Sequence, residues 1–445
     1  MTERIESRPR PGVVVRGAGN VGKGVIGELR AHGRDYGLDF VGVIIKDPDK
    51  ARAEKPRYTT DRYELLNDPR TKILVETPGG VSPEDSRDFM LEAINRRISV
   101  VTPAKAPIAL YAPELFEAAR SRGVDIQFEG AVGGGISIVN TLRERTKVDR
   151  VKRIKGIVNG TTNFILTAMA RGVAIGRKSG IDYHSILSRA IRDGYAETDP
   201  TDDVEGLDAA YKLTILLALA KGIWIHPNLI PRRGITNVRP ADFAFARKYS
   251  EEEGRQQDLK LLAIANEPRI GELELSVGPA LVSGELAAVS GVFNAVEVVW
   301  RLAGRQMYTG RGAGTNPTTS AVMDDVIRAA DNLEKGPDEL PLLNKTARVK
   351  DPKDVIKGGF VRMYLLDKVG SAGEAYSILG NHNLNLGYIE QGKKFRIEVG
   401  GEPYLADSVE FAPVRQENIF NALEELKNSR RVLKNPGPEY VPIER

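Results

Sequence analysis

Along the first 130 positions, short apolar runs alternate with stretches in which apolar and polar residues mix at helical spacing. The runs are GVVVRG (12–17), FVGVII (40–45), KILVET (72–77), ISVVTP (98–103) and VDIQFEG (124–130). Strands alternating with helices predict a parallel sheet with crossover helices. From 151 to 300 the pattern changes. Helical segments near 162–171, 183–193 and 206–221 precede strand-like GELELSV (271–277) and SGVFNAVEVVW (290–300), an α+β layout expected of a second domain. A Gly-rich stretch and a helix near 318–333 follow. The polar segment 334–354 reads as a linker. Residues 358–445 read as a compact third unit in the order strand, helix, strand, strand, helix, strand. The expected domains are therefore 1–136 (completed by about 305–335), 137–304, a linker at 336–356, and 357–445.

Composition narrows the class. A chain of 445 residues has room for two or three domains and an ample core. Its net charge of +4, with both signs mixed throughout, gives no ground for a nucleic-acid or membrane partner. Cysteine is absent, which excludes disulfides, thiolate catalysis and cysteine-ligated zinc. The four histidines include no two at metal-ligand spacing, which argues against a His metal site or a Ser-His-Asp triad. The start, MTERIESRPRPG, lacks the apolar core of a signal peptide, and no run of about 18 apolar residues occurs. The expectation is a cytoplasmic enzyme.

The first run leads into GAGNVG (17–22), a G-x-G-x-x-G after a strand and opening a helix. Gly17 permits the tight turn, Gly19 lets backbone approach a pyrophosphate, and Gly22 allows close helix–sheet packing. With the right context on both sides, the motif predicts a Rossmann dinucleotide-binding domain. At the end of the second run, Asp47 suits the ribose hydroxyls of NAD. Lys46, Lys50 and Arg52 suit the 2′-phosphate of NADP. The balance leans slightly to NADP.

A second segment, GYAETDPTDDVEGLDAAYKLTILLALA (194–220), crowds Glu197, Asp199, Asp202, Asp203, Glu205 and Asp208 against an apolar helix that carries one lysine, Lys212. Asp202 and Glu205 have capping-box spacing for a helix starting near 205, and acids suit a helix's first turn. Asp208 and Lys212 stand four apart and share a face. Leu207, Ala210, Leu213, Ile215 and Leu216 surround them, so the pair is expected to be buried or to line a cleft. A lysine so placed can serve in proton transfer. Nearby carboxylates suit a substrate bearing an ammonium group.

These residues also carry a resemblance. KGIVNGTTNFILTAM (155–169) followed by GYAETDPTDDVEGLDAAYKLTIL (194–216) resembles the signature of homoserine dehydrogenases. VVTPAKAPI (100–108), FEGAVGGGISIV (128–139) and GRGAGTNPTTSAV (310–322) resemble three further segments of that family, in the same order, so the likeness spans residues 12 to 335. It implies reversible hydride transfer between a nicotinamide cofactor and L-homoserine, giving L-aspartate 4-semialdehyde, within threonine and methionine synthesis. It also implies an α+β domain for catalysis and dimerisation.

Carried over by position, Lys212, Asp208 and Lys105 would be catalytic. Glu197, Asp203, Asn159, Gly160 and Thr161 would hold the substrate. Gly17, Gly19, Asn20, Val21, Gly22, Lys46, Thr77, Lys105 and Gly312 would meet the cofactor. Glu129 with the carbonyls of Val132, Gly134 and Ile136 resembles a monovalent-cation (Na+) site, although Glu129 also suits a plain capping role. Three positions depart from the family pattern: Ala104 in place of Asn, Ser137 in place of Pro, and Arg16 in place of an apolar residue. They leave room for a relative acting on another small amino or hydroxy acid. A non-catalytic amino-acid sensor would lack the acid–lysine set, which is present. The βαββαβ order of 357–445 resembles an ACT domain, a module that senses amino acids or mediates assembly. Val369 departs from its usual turn and Gly370 stands where such modules meet ligand or partner. L-threonine is the effector this implies, and a homodimer or higher homo-oligomer the assembly.

Overall fold

The computed structural model describes residues 9–47, 57–177 and 179–444. The chain divides into two compact units. One comprises 1–150, 214–227 and 310–345; the other comprises 151–213, 228–309 and 346–445.

The first unit is built on six strands: β1 (Gly12–Arg16), β2 (Asp39–Ile44), β3 (Tyr58–Thr59), β4 (Thr71–Glu76), β5 (Ser99–Val101) and β6 (Ile126–Gln127). All run parallel, in the order β3-β2-β1-β4-β5-β6. The five apolar runs supply five of these strands. The order reverses between β1 and β4, and such a switch point opens a crevice at the strands' carboxyl ends. Helices Asn20–His32, Pro83–Asn95 and Lys105–Arg122 make the crossovers. A later helix, Thr315–Lys335, completes the layer. Its Val322, Met323, Val326 and Ala329 enter one core with Val13, Val15, Ile26, Val43 and Val75. It comes so close to the first helix that a Cβ on Gly24 would lie 2.2 Å from the Thr319 hydroxyl. The polar 334–354 segment is divided: residues up to 345 belong to this unit and the rest to the second. The Asp338 amide donates to Asp125 Oδ1 (2.9 Å), and its carboxylate accepts from Gln127 (2.8 Å) and pairs with Arg143 (3.2 Å).

The second unit carries the strands β7 (Val151–Ile157), β8 (Gln257–Arg269), β9 (Glu272–Ser283), β10 (Phe293–Trp300), β11 (Gly304–Arg311), β12 (Arg348–Val349), β13 (Ile356–Leu366), β14 (Leu386–Val399), β15 (Glu402–Arg415) and β16 (Glu439–Glu444). They form one sheet in the order β11-β10-β7-β8-β9-β16-β13-β15-β14, with β12 beside β9. The βαββαβ order expected of the C-terminal segment is present, with helices Ser371–Asn381 and Gln416–Asn428 between its strands. It does not stand as a third compact unit, because β16 joins it to the preceding sheet. Residues 439–442 pair antiparallel with β13, and 443–444 pair parallel with β9. The handover falls at Pro442, which has no N–H to offer either neighbour.

A buried ion pair ties this segment to the helix Pro240–Glu253. Arg362 of β13 donates to Asp242 Oδ1 at 2.8 Å and to the Asn237 carbonyl at 2.9 Å. Both side chains are essentially sealed from solvent, at 1% and 0% exposure. Removing one partner strands the other's charge. Asp242→Ala should therefore lower stability by about 3–5 kcal/mol in urea unfolding, and Asp242→Leu with Arg362→Leu should recover much of the loss.

Candidate active site

At the end of β1 the chain turns through Gly17, whose φ is +94°. A Cβ there would lie 2.4 Å from the Thr77 carbonyl oxygen, and one on Gly22 would lie 2.2 Å from the Gly17 oxygen. Both glycines are required by close backbone approach. Nothing lies within 4 Å of a Cβ position on Gly19, so that backbone is open to a ligand. The helix beginning at Asn20 and Val21 has no side-chain cap, which leaves its first amides available to an anion. A cavity of about 510 Å³ runs from Arg16, Gly17 and Gly19 to Lys46, Asp47 and Arg62. This cradle fits a dinucleotide. The Thr77 hydroxyl is committed to the loop itself, donating to the Arg16 carbonyl at 3.0 Å. Lys50 and Arg52 lie outside the described residues.

Arg16, unusual at the end of a buried strand, is compensated. Its guanidinium pairs with Glu76 at 2.7 Å and with Asp85, and lies 4.3 Å from the centre of the Phe89 ring. Arg62 reaches the same Asp85 at 2.7 Å. Burial pushes the Glu76 carboxyl up to about 7, against the pull of Arg16 and the Ser86 hydroxyl.

In the second unit, β7 leads through Val158 and Asn159 into the helix Gly160–Ala174. Asn159 caps this helix, its carbonyl oxygen accepting from the Thr162 amide at 2.8 Å. That fixes its amide nitrogen, which donates to Asp203 (2.6 Å) and Asp208 (2.8 Å). Lys212 Nζ donates to Asp208 Oδ2 at 2.6 Å and to the Val158 carbonyl at 2.7 Å. Asp208 and Lys212 are 2% and 8% exposed, so the pair is buried and not a surface pair. An ammonium has three N–H donors, and two are used here. The third can meet a substrate oxygen. Thr161 donates to the Tyr195 carbonyl at 3.2 Å, and the Tyr195 ring stacks on Phe164.

The acidic run differs from expectation in one respect. Asp202 and Glu205 form no capping box for a helix near 205. A short helix, Thr201–Val204, ends there, and Gly206 at φ +79° breaks the chain before the long helix Leu207–Lys221. Asp199 instead accepts from the Thr201 amide at 3.1 Å, in the turn that leads into the short helix. Glu197 is exposed, and among the described residues no hydrogen bond or ion pair joins it to the Asn159–Asp208 cluster.

Glu129 is buried. Its carboxylate accepts from the amides of Val139 (3.0 Å) and Asn140 (2.7 Å), at the start of the helix Ile138–Arg145. Its own amide donates to Asp325 at 2.8 Å. Burial pushes Glu129 up to about 6. Burial, then the neighbouring Glu129, pushes Asp325 up to about 8. The Val132 amide donates back to the Glu129 carbonyl at 3.3 Å, and the Ile136 carbonyl accepts from Ile138 at 2.7 Å. The glycines nearby serve a crossing of two turns: a Cβ on Gly134 would lie 2.8 Å from the Gly312 carbonyl. Lys105 begins the helix Lys105–Arg122 and is half-buried. Ala104 leaves that helix without a side-chain cap.

Comparison with known proteins decides the family. The homoserine dehydrogenase NAD-binding domain matches residues 17–129, and the homoserine dehydrogenase domain matches 138–327. Homoserine dehydrogenase from Bacillus subtilis is 33% identical over 443 residues, covering 94% of this chain and 97% of that protein. The chain belongs to the homoserine dehydrogenase family. Among solved structures, a homoserine dehydrogenase from Thiobacillus denitrificans superposes with a TM-score of 0.82 at 30% identity, covering 98% of each chain. A hyperthermophilic archaeal homoserine dehydrogenase in complex with NADPH gives 0.58 at 27% identity, covering 72% of this chain and 98% of that one. The chain is accordingly an NAD(P)-dependent oxidoreductase acting on a CH–OH group. The broader alternatives, another small amino or hydroxy acid as substrate or a non-catalytic sensor, give way to that assignment.

The sequence reading missed several parts of these sites. The Val158 carbonyl leaves no side-chain signal. Asp325 lies nearly 200 positions from Glu129, and Glu76 and Asp85 lie far from Arg16 along the chain. The isolated basic residue at the end of an apolar strand was itself the signal that a buried acid must answer it.

Glu76 makes a pH-dependent contribution with a definite sign. Well below pH 4.5 it is protonated in both folded and unfolded chains. As pH rises toward about 7, the unfolded chain gives up the proton first, which penalises the folded state. The stability of the wild type relative to Glu76→Gln should fall across that window by on the order of 3 kcal/mol, measured by urea unfolding at several pH values.

Proposed function

We propose that Lys212, with Asp208 as its partner, moves the proton in the interconversion of L-homoserine and L-aspartate 4-semialdehyde. The observation that carries this is the buried Lys212 amine, held by Asp208 and the Val158 carbonyl with one N–H direction to spare. A nicotinamide cofactor held at the Gly17–Gly22 cradle would supply the hydride acceptor for the carbinol carbon of homoserine, and the hydride donor for the aldehyde in the reverse direction. In oxidation the hydroxyl proton leaves to the Lys212 amine, directly or through a held water. In reduction the Lys212 ammonium donates to the forming alkoxide. Homoserine and oxidised cofactor thus give semialdehyde, reduced cofactor and one proton. Asp208 keeps the amine oriented, and Asn159 keeps Asp208 in place. Lys105 is the second active-site lysine in this reading. Glu197 and Asp203 neutralise the substrate ammonium, and Asn159, Gly160 and Thr161 line its pocket.

NADP is the cofactor this reading prefers, with Lys46 and Arg62 supplying positive charge in the wall of the cradle. The archaeal relative in complex with NADPH supports it. Asp47 in the same wall is what NAD would use. Glu129 with the carbonyls of Val132, Gly134 and Ile136 is the place for a monovalent cation such as Na+. A cation there would offset the two buried carboxyls of Glu129 and Asp325. In the C-terminal segment, which we read as an ACT-like module, the turn at Val369 and Gly370 is the site for L-threonine. Val369 is 99% exposed there, and the following helix has no side-chain cap. A cytoplasmic homodimer, assembled through the α+β domain, completes the proposal.

Absorbance at the reduced-nicotinamide band, with L-homoserine and NAD or NADP in parallel, tests the reaction. NADP should be reduced at lower concentrations than NAD. Reduction of neither by folded protein that binds nicotinamide would overturn the substrate assignment. Lys212→Ala should lower kcat about 10²–10⁴-fold with a much smaller change in KM. Full turnover in that variant would remove Lys212 from the role.

A further inference from the structure

The second unit holds a cavity of about 420 Å³ that the proposed reaction leaves unused. It lies where the β8–β9 hairpin, the 231–233 segment, the start of β13 and the end of β16 meet. Its volume falls in the range of small-molecule sites, about 300–1,000 Å³. The walls are largely apolar, with Leu275, Phe411, Phe420, Tyr440 and Pro442 among them.

The charged groups in the walls are unequally satisfied. Glu444 pairs with Lys155 at 3.3 Å and with Lys357. Glu274 pairs with Lys350 at 3.0 Å and accepts from Asn266 at 3.1 Å. Glu410 has the Tyr249 hydroxyl at 3.5 Å. Arg233 is held by the Tyr440 carbonyl at 2.6 Å and by Glu439 at 3.1 Å. Two arginines are left with donors to spare. Arg153 has a loose contact with Glu297 at 3.6 Å, and its buried Nε has no acceptor. Arg232, exposed at the rim, has no acceptor among the described residues.

We propose that this cavity binds a small organic carboxylate with an apolar body. The planar guanidinium fork matches a carboxylate, and the apolar walls match a hydrocarbon chain. The site belongs wholly to the second unit and uses none of the residues assigned to homoserine or to the cofactor.

The test is calorimetric titration of the full chain with 4-methylpentanoate. Acetate, 4-methylpentanamide and inorganic phosphate serve as comparators. The expected result is one saturable site per chain, at least about tenfold weaker for each comparator. Arg232→Ala should weaken binding about tenfold. Ser276→Phe, which puts an aromatic side chain, favourable to strands in general, at a β9 position lining the cavity, should abolish it. Because Arg232 is exposed, its replacement keeps the test valid if Ser276→Phe disturbs the sheet. No saturable binding would overturn the proposal. So would equal binding of any comparator, or unchanged binding in Arg232→Ala. Titration needs no turnover, so its outcome is separate from that of the homoserine assay.

Discussion

The hydrogen bonds on Lys212 constrain everything around them. A buried amine needs acceptors, and one of its two is a backbone carbonyl, Val158 O. That carbonyl is positioned by the end of β7, whose register is set by β10 on one side and β8 on the other. The next residue, Asn159, caps a helix with its oxygen and grips Asp203 and Asp208 with its nitrogen. One strand end therefore sets the lysine, its carboxylate and the start of the helix that follows. β7 is also held from below: Lys155, buried within it, reaches Glu444 on β16. The C-terminal strand thus touches the strand whose end holds the Lys212 amine.

The first unit meets a different constraint, the close approach of backbones. Gly17 against Thr77, Gly22 against Gly17, and Gly134 against Gly312 are all contacts that a side chain would prevent. The first two shape the cofactor cradle. The third brings the 310–314 turn across the 133–136 turn and delivers the helix Thr315–Lys335 to the core it completes. At Arg16 a buried charge in this unit is answered by Glu76 and Asp85.

Much of this was legible in residue order. Apolar runs marked the parallel strands because each run contains or closely overlaps the strand it forms, although β5 and β6 occupy only part of theirs. Asp208 and Lys212 could be paired because i and i+4 share a helix face. The glycine loop was readable because its meaning is local to one strand, one turn and one helix. What stayed hidden depends on distant partners. Glu76 opposite Arg16 and Asp325 beside Glu129 are such pairs. So is the joining of two strand sets into one sheet, which rests on six residues of β16 that look like an ordinary strand. Asp202 and Glu205 misled for a local reason: Gly206 takes a left-handed conformation, and the helix they seemed to begin is split there.

The position of β16 also orders events during synthesis. A chain emerges from the ribosome N-terminus first, so β9 and β13 both appear before the strand that must lie between them. Until residues 439–444 arrive, each of those strands presents an unpaired edge, the kind of surface on which chains pair wrongly with one another. The first unit waits in a similar way, its early strands lacking the apolar face of the helix Thr315–Lys335. Chaperone demand should thus be concentrated on chains not yet extended past residue 444, and a stop codon before residue 439 would yield a product that is sticky rather than merely inactive.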